Sequence, residues 1–517
     1  MKLSQKTFYD KVMGCWMGKN IGGTLGAPME WHRQVNNVDF YTNDLNGDPI
    51  PNDDLDLQLI WLYCIEQYGP KVNARDLAEF WLDFQIANYS EYGLAKANLQ
   101  AGFMPPLSGT IGNNFKDSCG AFIRSELWAC LCPGRPDLAV QYAYEDAIVD
   151  HGNGEGTYAT LFSAAMEAAA FAESDFKKLI EIGLSYIPKD CGVAKAVQTV
   201  IDCYEKGLDW KECREEIMKK HRGSVYYNCY RYISEEDLKK DYDKGELGYC
   251  VPSNIAIIVA GMLYGEGDFE KVLCTTVNMG EDTDCTAGTV GAIFGIIYGY
   301  KNIPERWIEP IGHSIKTICC NKAHDPVFPE TLEDLTDRVI KQAILFSIFH
   351  DGKRKLKTID LLSNEDDLSD YNFDKMLLQN TELNMRRDVI LSMNGPRYDH
   401  HLFSVALDYS KTYVEAEEET DISLLMTPMT WSYPFHINIE WISEDLEIKP
   451  QKEYTVPFWP EGIRPSEKIT FTVSPIVPKK RYEATIKITI PGRHTQMFIP
   501  VILQSYKLPP AKPAIIL

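Results

Sequence analysis

From Thr7 to about residue 350 the apolar positions recur every three or four residues. The stretches "DLAEFWLDFQIANY" (76–89), "ATLFSAAMEAAAFA" (159–172) and "LTDRVIKQAILFSIF" (335–349) each carry such a stripe, which is the period of helices that bury one face. Between 351 and 385 the chain is highly charged and loses this period, predicting a linker or a layer of surface helix. The period then becomes two. Phe435, Ile437, Ile439 and Trp441 alternate with polar residues, as do Ile469, Phe471 and Val473, and Ile486, Ile488 and Ile490 repeat the pattern. With "KPQKEY", "PEGIRPSE" and "IPGRH" between such runs, the expected architecture is an antiparallel β-sandwich of roughly 100 residues, immunoglobulin-like in size. The predicted fold class is α+β multidomain: an all-α domain over 1–350, the charged segment 351–385, and the sandwich over 386–517.

Composition narrows the function. Acidic residues outnumber basic ones 74 to 52, for a net charge of −22. That balance disfavours nucleic acid and anionic membrane as partners and favours a small ligand or one carried on a metal; a homo-oligomer stays open. Fourteen cysteines are scattered without a C-x-x-C pair, the pattern of reduced, mostly buried thiols. The N-terminal "MKLSQKTFYDKVMGCW" has no apolar stretch of signal-peptide length, so the expected location is cytoplasmic. The uncharged run Cys285–Tyr300 is shorter than the ~20 residues a membrane span needs and is expected to be a core helix.

Two acidic clusters stand at predicted helix starts. In "PNDDLDLQLIWLY", Asn52, Asp53, Asp54 and Asp56 lead an apolar helix, and in "NMGEDTDCTAGTVGAIFGIIYG", Glu281, Asp282 and Asp284 lead another. Such residues cap helices and suit the positive end of the helix dipole. A cap needs one side chain, however, and each cluster offers three carboxylates whose repulsion calls for a cation. If the two helix starts meet, the oxygens form a hard-donor cage for Mg²⁺, Mn²⁺ or Ca²⁺. Ala287, Gly288, Gly291, Ala292 and Gly295 lie at helical spacing and would let their helix approach a neighbour closely.

These residues also carry a family resemblance. "GCWMGKNIGGTLGAPMEW", "NDDLDLQL", "GAFIRSE", "DHGNGEGTYATLFSAAM" and "VNMGEDTDCTAGTVGAIFGIIYG" resemble, in order and over about residues 8–345, the five motif segments of the ADP-ribosylglycohydrolases, the all-helical metal hydrolases that include dinitrogenase reductase-activating glycohydrolase. The resemblance implies two divalent metal ions, Mg²⁺ first, bound by Asp53, Asp54, Asp282 and Asp284. It places Glu30 against them near the attacked carbon, and Arg124, His151 and Gly152 in the substrate pocket. Helix-cap and core-contact roles account for His151, and a salt-bridged surface role for Arg124, without any substrate. Gly22, Gly26, Gly152 and Gly154 fit tight turns equally well.

The chain also departs from the family pattern. Asn52 stands for Ser or Thr, Leu55 for Thr, Cys285 for a hydroxyl ligand, Glu281 for Gly and Gly23 for Asp. Asn52 and Cys285 join the expected metal ligands, Asn52 through its carbonyl oxygen and Cys285 through a thiol that is a poor ligand for hard cations, and Glu281 is expected to contact substrate, to supply the lost coordination or to transfer a proton. The expected chemistry is hydrolysis at an anomeric carbon, with Glu30 as the base and Asp54 as the alternative. The expected substrate is a small molecule or an ADP-ribosylated protein. The alternatives are a glycosidase or nucleosidase acting on another furanosyl compound, and a non-catalytic ligand-binding member of the fold.

Overall fold

Gly14, Gly18, Gly22 and Gly26 fall at four-residue spacing along the helix Gln5–Gly26, and that stripe organises the N-terminal half of the protein. A computed structural model describes residues 2–30, 32–222, 234–242, 251–323, 328–354, 360–369, 395–429, 434–459 and 467–505. The opening helix begins at Ser4, whose side chain accepts from the Thr7 amide, and it lies directly against Thr283–Tyr298, the helix rich in small residues. A methyl group added at Gly14, Gly18, Gly22 or Gly26 would fall 2.4, 2.0, 2.0 and 2.2 Å from the backbone carbonyls of Gly295, Gly291, Ala287 and Thr283. The two backbones therefore touch along the whole seam. Gly22 and Gly26 are helical contact residues rather than the turn glycines the sequence equally allowed.

Asp53–Tyr68, Glu155–Ala170 and Val251–Tyr264 surround this pair, and most of their residues are buried. Each is apolar on more than one face, as a helix enclosed by other helices must be. The segment 76–89 is helical only to Phe84; Gln85 then makes a bridge to Cys320, which ends the helical run. The described cysteines are free thiols, all buried except the half-buried Cys274. No helix among the described residues is long and apolar enough to cross a membrane.

The C-terminal region is antiparallel β-structure in two sheets. One has the strand order Gln496–Gln504, Arg481–Thr489, Phe435–Ile442, Glu453–Phe458, and the other Arg397–Asp399, Phe403–Tyr409, Thr420–Pro428, Glu467–Pro475, Leu446–Lys449. The period-two positions supply the shared core. Ile486 pairs with Trp441 and Ile488 with Ile439, and these residues join Ile469, Phe471 and Val473 in one buried cluster. Phe103 and Leu107 of the helical region enter the same cluster, while Arg397 is ion-paired to Glu145 at 2.5 Å. Within the charged segment 351–385, Asp360–Ser363 is a strand parallel to Lys2–Ser4; residues 370–394 lie outside the described residues.

Candidate active site

The start of Asp53–Tyr68 and the start of Thr283–Tyr298 meet at the mouth of the glycine seam. Ligand-capable atoms of Asp54, Asp284 and Cys285 lie within 4.8 Å of one another, and so do those of Glu30, Asp282 and Asp284. Asp284 belongs to both groups. Glu30 arrives from the opening helix through the short turn Ala27–Met29, so the seam that joins the two helices also brings Glu30 to the aspartates.

Capping is settled separately at each helix start. Asn52 caps the first: its side-chain oxygen accepts from the Asp54 amide at 2.7 Å, and its amide donates to Asp284 Oδ2 at 3.1 Å. The oxygen through which Asn52 would ligate is thus turned to its own helix. At the second helix the capping position is Asp282, which makes no side-chain cap. Asp282 Oδ1 and Asp284 Oδ1 are buried without a hydrogen-bond partner, an arrangement that costs free energy unless something else neutralises them. Burial, with Glu30 adjacent, pushes Asp282 up to about 7. Burial and the neighbouring Asp282 and Asp54 raise Asp284 well above the carboxylate range. Such a set of buried oxygens fits a hard divalent ion.

The remaining acidic residues have other work. Asp53 lies outside both groups and accepts from the Tyr92 hydroxyl at 3.0 Å. Asp56 accepts from the Ile318 and Cys319 amides and so pins the loop before 320. Leu55 is buried in the core. Cys285 points into the cage, its thiol donating to Asp54 Oδ1 at 3.4 Å. Glu281 turns away from the metal-capable groups: it is ion-paired to Arg33 at 3.0 Å and Arg222 at 2.5 Å. Burial works to raise its pKa, but these arginines win and hold it below the ordinary value. At φ 71° it occupies the left-handed backbone region that favours glycine, and the two ion pairs hold it there.

Arg124 and His151 are fully enclosed. Arg124 pairs with Asp146 at 2.7 Å and Asp150 at 2.6 Å, and stacks over Trp81 at 5.1 Å. His151 sits 2.9 Å from Asp150 and 3.1 Å from the Ser118 hydroxyl. Their route to the cage runs through side chains, since Trp81 packs on Tyr92 and Tyr92 holds Asp53. Gly152, at φ 52°, packs against Thr110, while Gly154, at φ −91°, is the residue before the helix Glu155–Ala170.

Sequence reasoning missed Lys19. Its ammonium lies 3.1 Å from Asp54 Oδ2 and 2.8 Å from Glu126 Oε1, with every partner buried. Burial opposes its charge, yet Asp54 and Glu126 together raise its pKa above the ordinary lysine value. Gln58 braces the arrangement by donating to Glu126 at 3.0 Å and to the Asp54 carbonyl at 3.0 Å. A signal was there to find: Lys19 is the only charged residue between Lys11 and Glu30, on a helix apolar enough to be buried.

An all-helical body that holds a carboxylate cage at the mouth of a glycine-packed helix pair defines the structural class. Residues 4–345 match the model of the ADP-ribosylglycohydrolase family, and the chain belongs to that family. Over 64 residues it is 33% identical to ADP-ribosylarginine hydrolase Tri1 of Serratia proteamaculans (strain 568), a stretch that is 12% of this chain and 17% of that relative. The match thus spans about a sixth of the relative's length. A solved chain described as an ADP-ribosylglycohydrolase-related protein complex aligns with 66% of this chain and 98% of its own length, at 16% identity and a TM-score of 0.42.

Proposed function

We propose that this protein hydrolyses the glycosidic bond between ADP-ribose, or a related ribosyl group, and its aglycone in a metal-dependent reaction. The observation that carries the reading is the pair of metal-capable groups sharing Asp284, with buried oxygens of Asp282 and Asp284 unpartnered. Family membership supports ADP-ribose as the sugar, and the likeness to an ADP-ribosylarginine hydrolase makes an arginine-linked substrate the first to try.

Glu30, Asp282 and Asp284 would hold the ion. A divalent cation there supplies positive charge that orients vicinal ribose hydroxyls and acidifies a water. Glu30 is half-buried at the end of its turn, where it meets both solvent and the aspartates. It accepts the proton from the attacking water as the water oxygen bonds to the anomeric carbon and the bond to the aglycone breaks, and it returns that proton to the departing aglycone. Asp54, tied to Lys19, fixes the cage floor, and Asn52 holds Asp284 from the other side. The enclosed Arg124–Asp150–His151 cluster positions the Trp81–Tyr92–Asp53 wall.

The test is mass spectrometry of products from ADP-ribosyl-arginine, ADP-ribosyl-serine, O-acetyl-ADP-ribose, nucleosides and furanosides, with and without EDTA. Release of free ADP-ribose, lost with EDTA and reduced at least about a hundredfold in Asp284→Asn, is the expected result, since a charged donor in the centre is worth several kcal/mol. Turnover of a furanoside or nucleoside alone would replace the substrate. Full turnover in Asp284→Asn would overturn the site.

A further inference from the structure

We propose that the centre takes one divalent cation, held by Glu30, Asp282 and Asp284, and that the Lys19 ammonium is a built-in second cation that excludes another ion from Asp54. The inference rests on the metal-dependent reading above and deepens it.

The two groups that share Asp284 are chemically unlike. In the first, Asp54 is already engaged on both sides: Oδ1 accepts from the Cys285 thiol at 3.4 Å, and Oδ2, which makes no hydrogen bond, is ion-paired 3.1 Å from Lys19 Nζ. An ion on that side would have to displace an ammonium and accept a thiol among its ligands, a donor that hard cations disfavour. In the second group every donor is a carboxylate. Asp282 and Asp284 are only 8% and 5% exposed, and each keeps one oxygen without a hydrogen-bond partner. Asp282 belongs to this group alone, and its unpartnered oxygen is what marks this side for the ion.

Lys19 is built into this place. Its side chain passes beside Gly288, where an added methyl group would fall 3.0 Å from Asp54 Oδ2 and 3.3 Å from Lys19 Cδ. The absence of a side chain at 288 leaves the lysine its path. The neighbouring contacts of Gly18 with Gly291 and of Gly22 with Ala287 bring the opening helix close enough for the ammonium to reach the aspartate. Glu126, itself braced by Gln58, accepts from the same ammonium at 2.8 Å. A lysine gripped by two buried carboxylates is fixed in position, and its charge repels a divalent ion at the same oxygens.

The measurement is the Mn²⁺ stoichiometry of the full chain, by calorimetry and by electron paramagnetic resonance. The wild type should bind one Mn²⁺ and show the six-line spectrum of an isolated ion. Cys285→Thr, which restores a hydroxyl beside Asp54, should still bind one, because the lysine rather than the thiol holds the place. Lys19→Met keeps the stem and removes the charge, and should bind two, with the coupled spectrum of neighbouring ions. Two ions in the wild type or in Cys285→Thr would overturn the role of Lys19 and leave the metal-dependent reading standing. A folded Lys19→Met that binds one would do the same. Should Lys19→Met fail to fold without metal, the wild-type and Cys285→Thr stoichiometries still decide. No binding of Mn²⁺ by the wild type would overturn both readings.

Discussion

The glycine seam makes a prediction opposed to helix propensity. In Gly18→Ala the new methyl would stand 2.0 Å from the Gly291 carbonyl oxygen and 2.5 Å from its carbon. Both atoms belong to the backbone of a buried helix, so no rotamer change relieves the overlap. The helices must part by at least about 1 Å, and a close-packed interior transmits that shift along the seam. Overpacking of this kind costs about 1–3 kcal/mol, and the lost contacts at the neighbouring glycines add to it. Alanine regains about 1 kcal/mol of helix propensity over glycine. The net expectation is a loss of about 1 kcal/mol, and more once the lost contacts are counted. Gly23→Ala is the control: it lies on the same helix, but its added methyl meets only the Asn52 side chain, at 3.0 Å and beyond. The assay is urea unfolding followed by tryptophan fluorescence, with the buried Trp16 on that helix as reporter. A Gly18→Ala protein as stable as Gly23→Ala would refute the seam as the determinant of this architecture.

Two further predictions concern groups outside the cage. Arg124→Met leaves Asp146 and Asp150 buried without their partner, so folding stability should drop by about 3–5 kcal/mol; an unchanged melting temperature with a raised KM would make Arg124 a substrate contact instead. Burial, helped by Lys220 and Lys195, lowers the His221 pKa to about 4, below its unfolded value of about 6.5. The unfolded state therefore binds the extra proton first, and stability should fall as pH drops from about 6.5 towards about 4. His221→Gln should flatten that part of the stability profile, and an identical profile in both proteins would show that His221 does not contribute.

The sequence by itself determined the periods and the residues, and with them a helical region followed by β-structure. Repeats of three and four to about residue 350, then of two from Phe435, are statements about which faces are buried, and burial is a local demand that each segment meets with its own side chains. The small residues from Ala287 to Gly295 likewise announced a close neighbour, although only the fold named that neighbour as the opening helix. What tertiary structure alone decided were the electrostatic partners. Glu281 was legible as a carboxylate in the acidic motif, but its direction depends on Arg33 and Arg222, far away in the chain. Arg124 and His151 were found by their motifs, yet their enclosure follows from Asp146, Asp150 and Ser118 folding around them. Lys19 shows the division most clearly. Its charge stands alone between Lys11 and Glu30 and can be read directly, but whether it pairs with Asp54 and Glu126 depends on how closely two backbones approach, which packing decides across the whole domain.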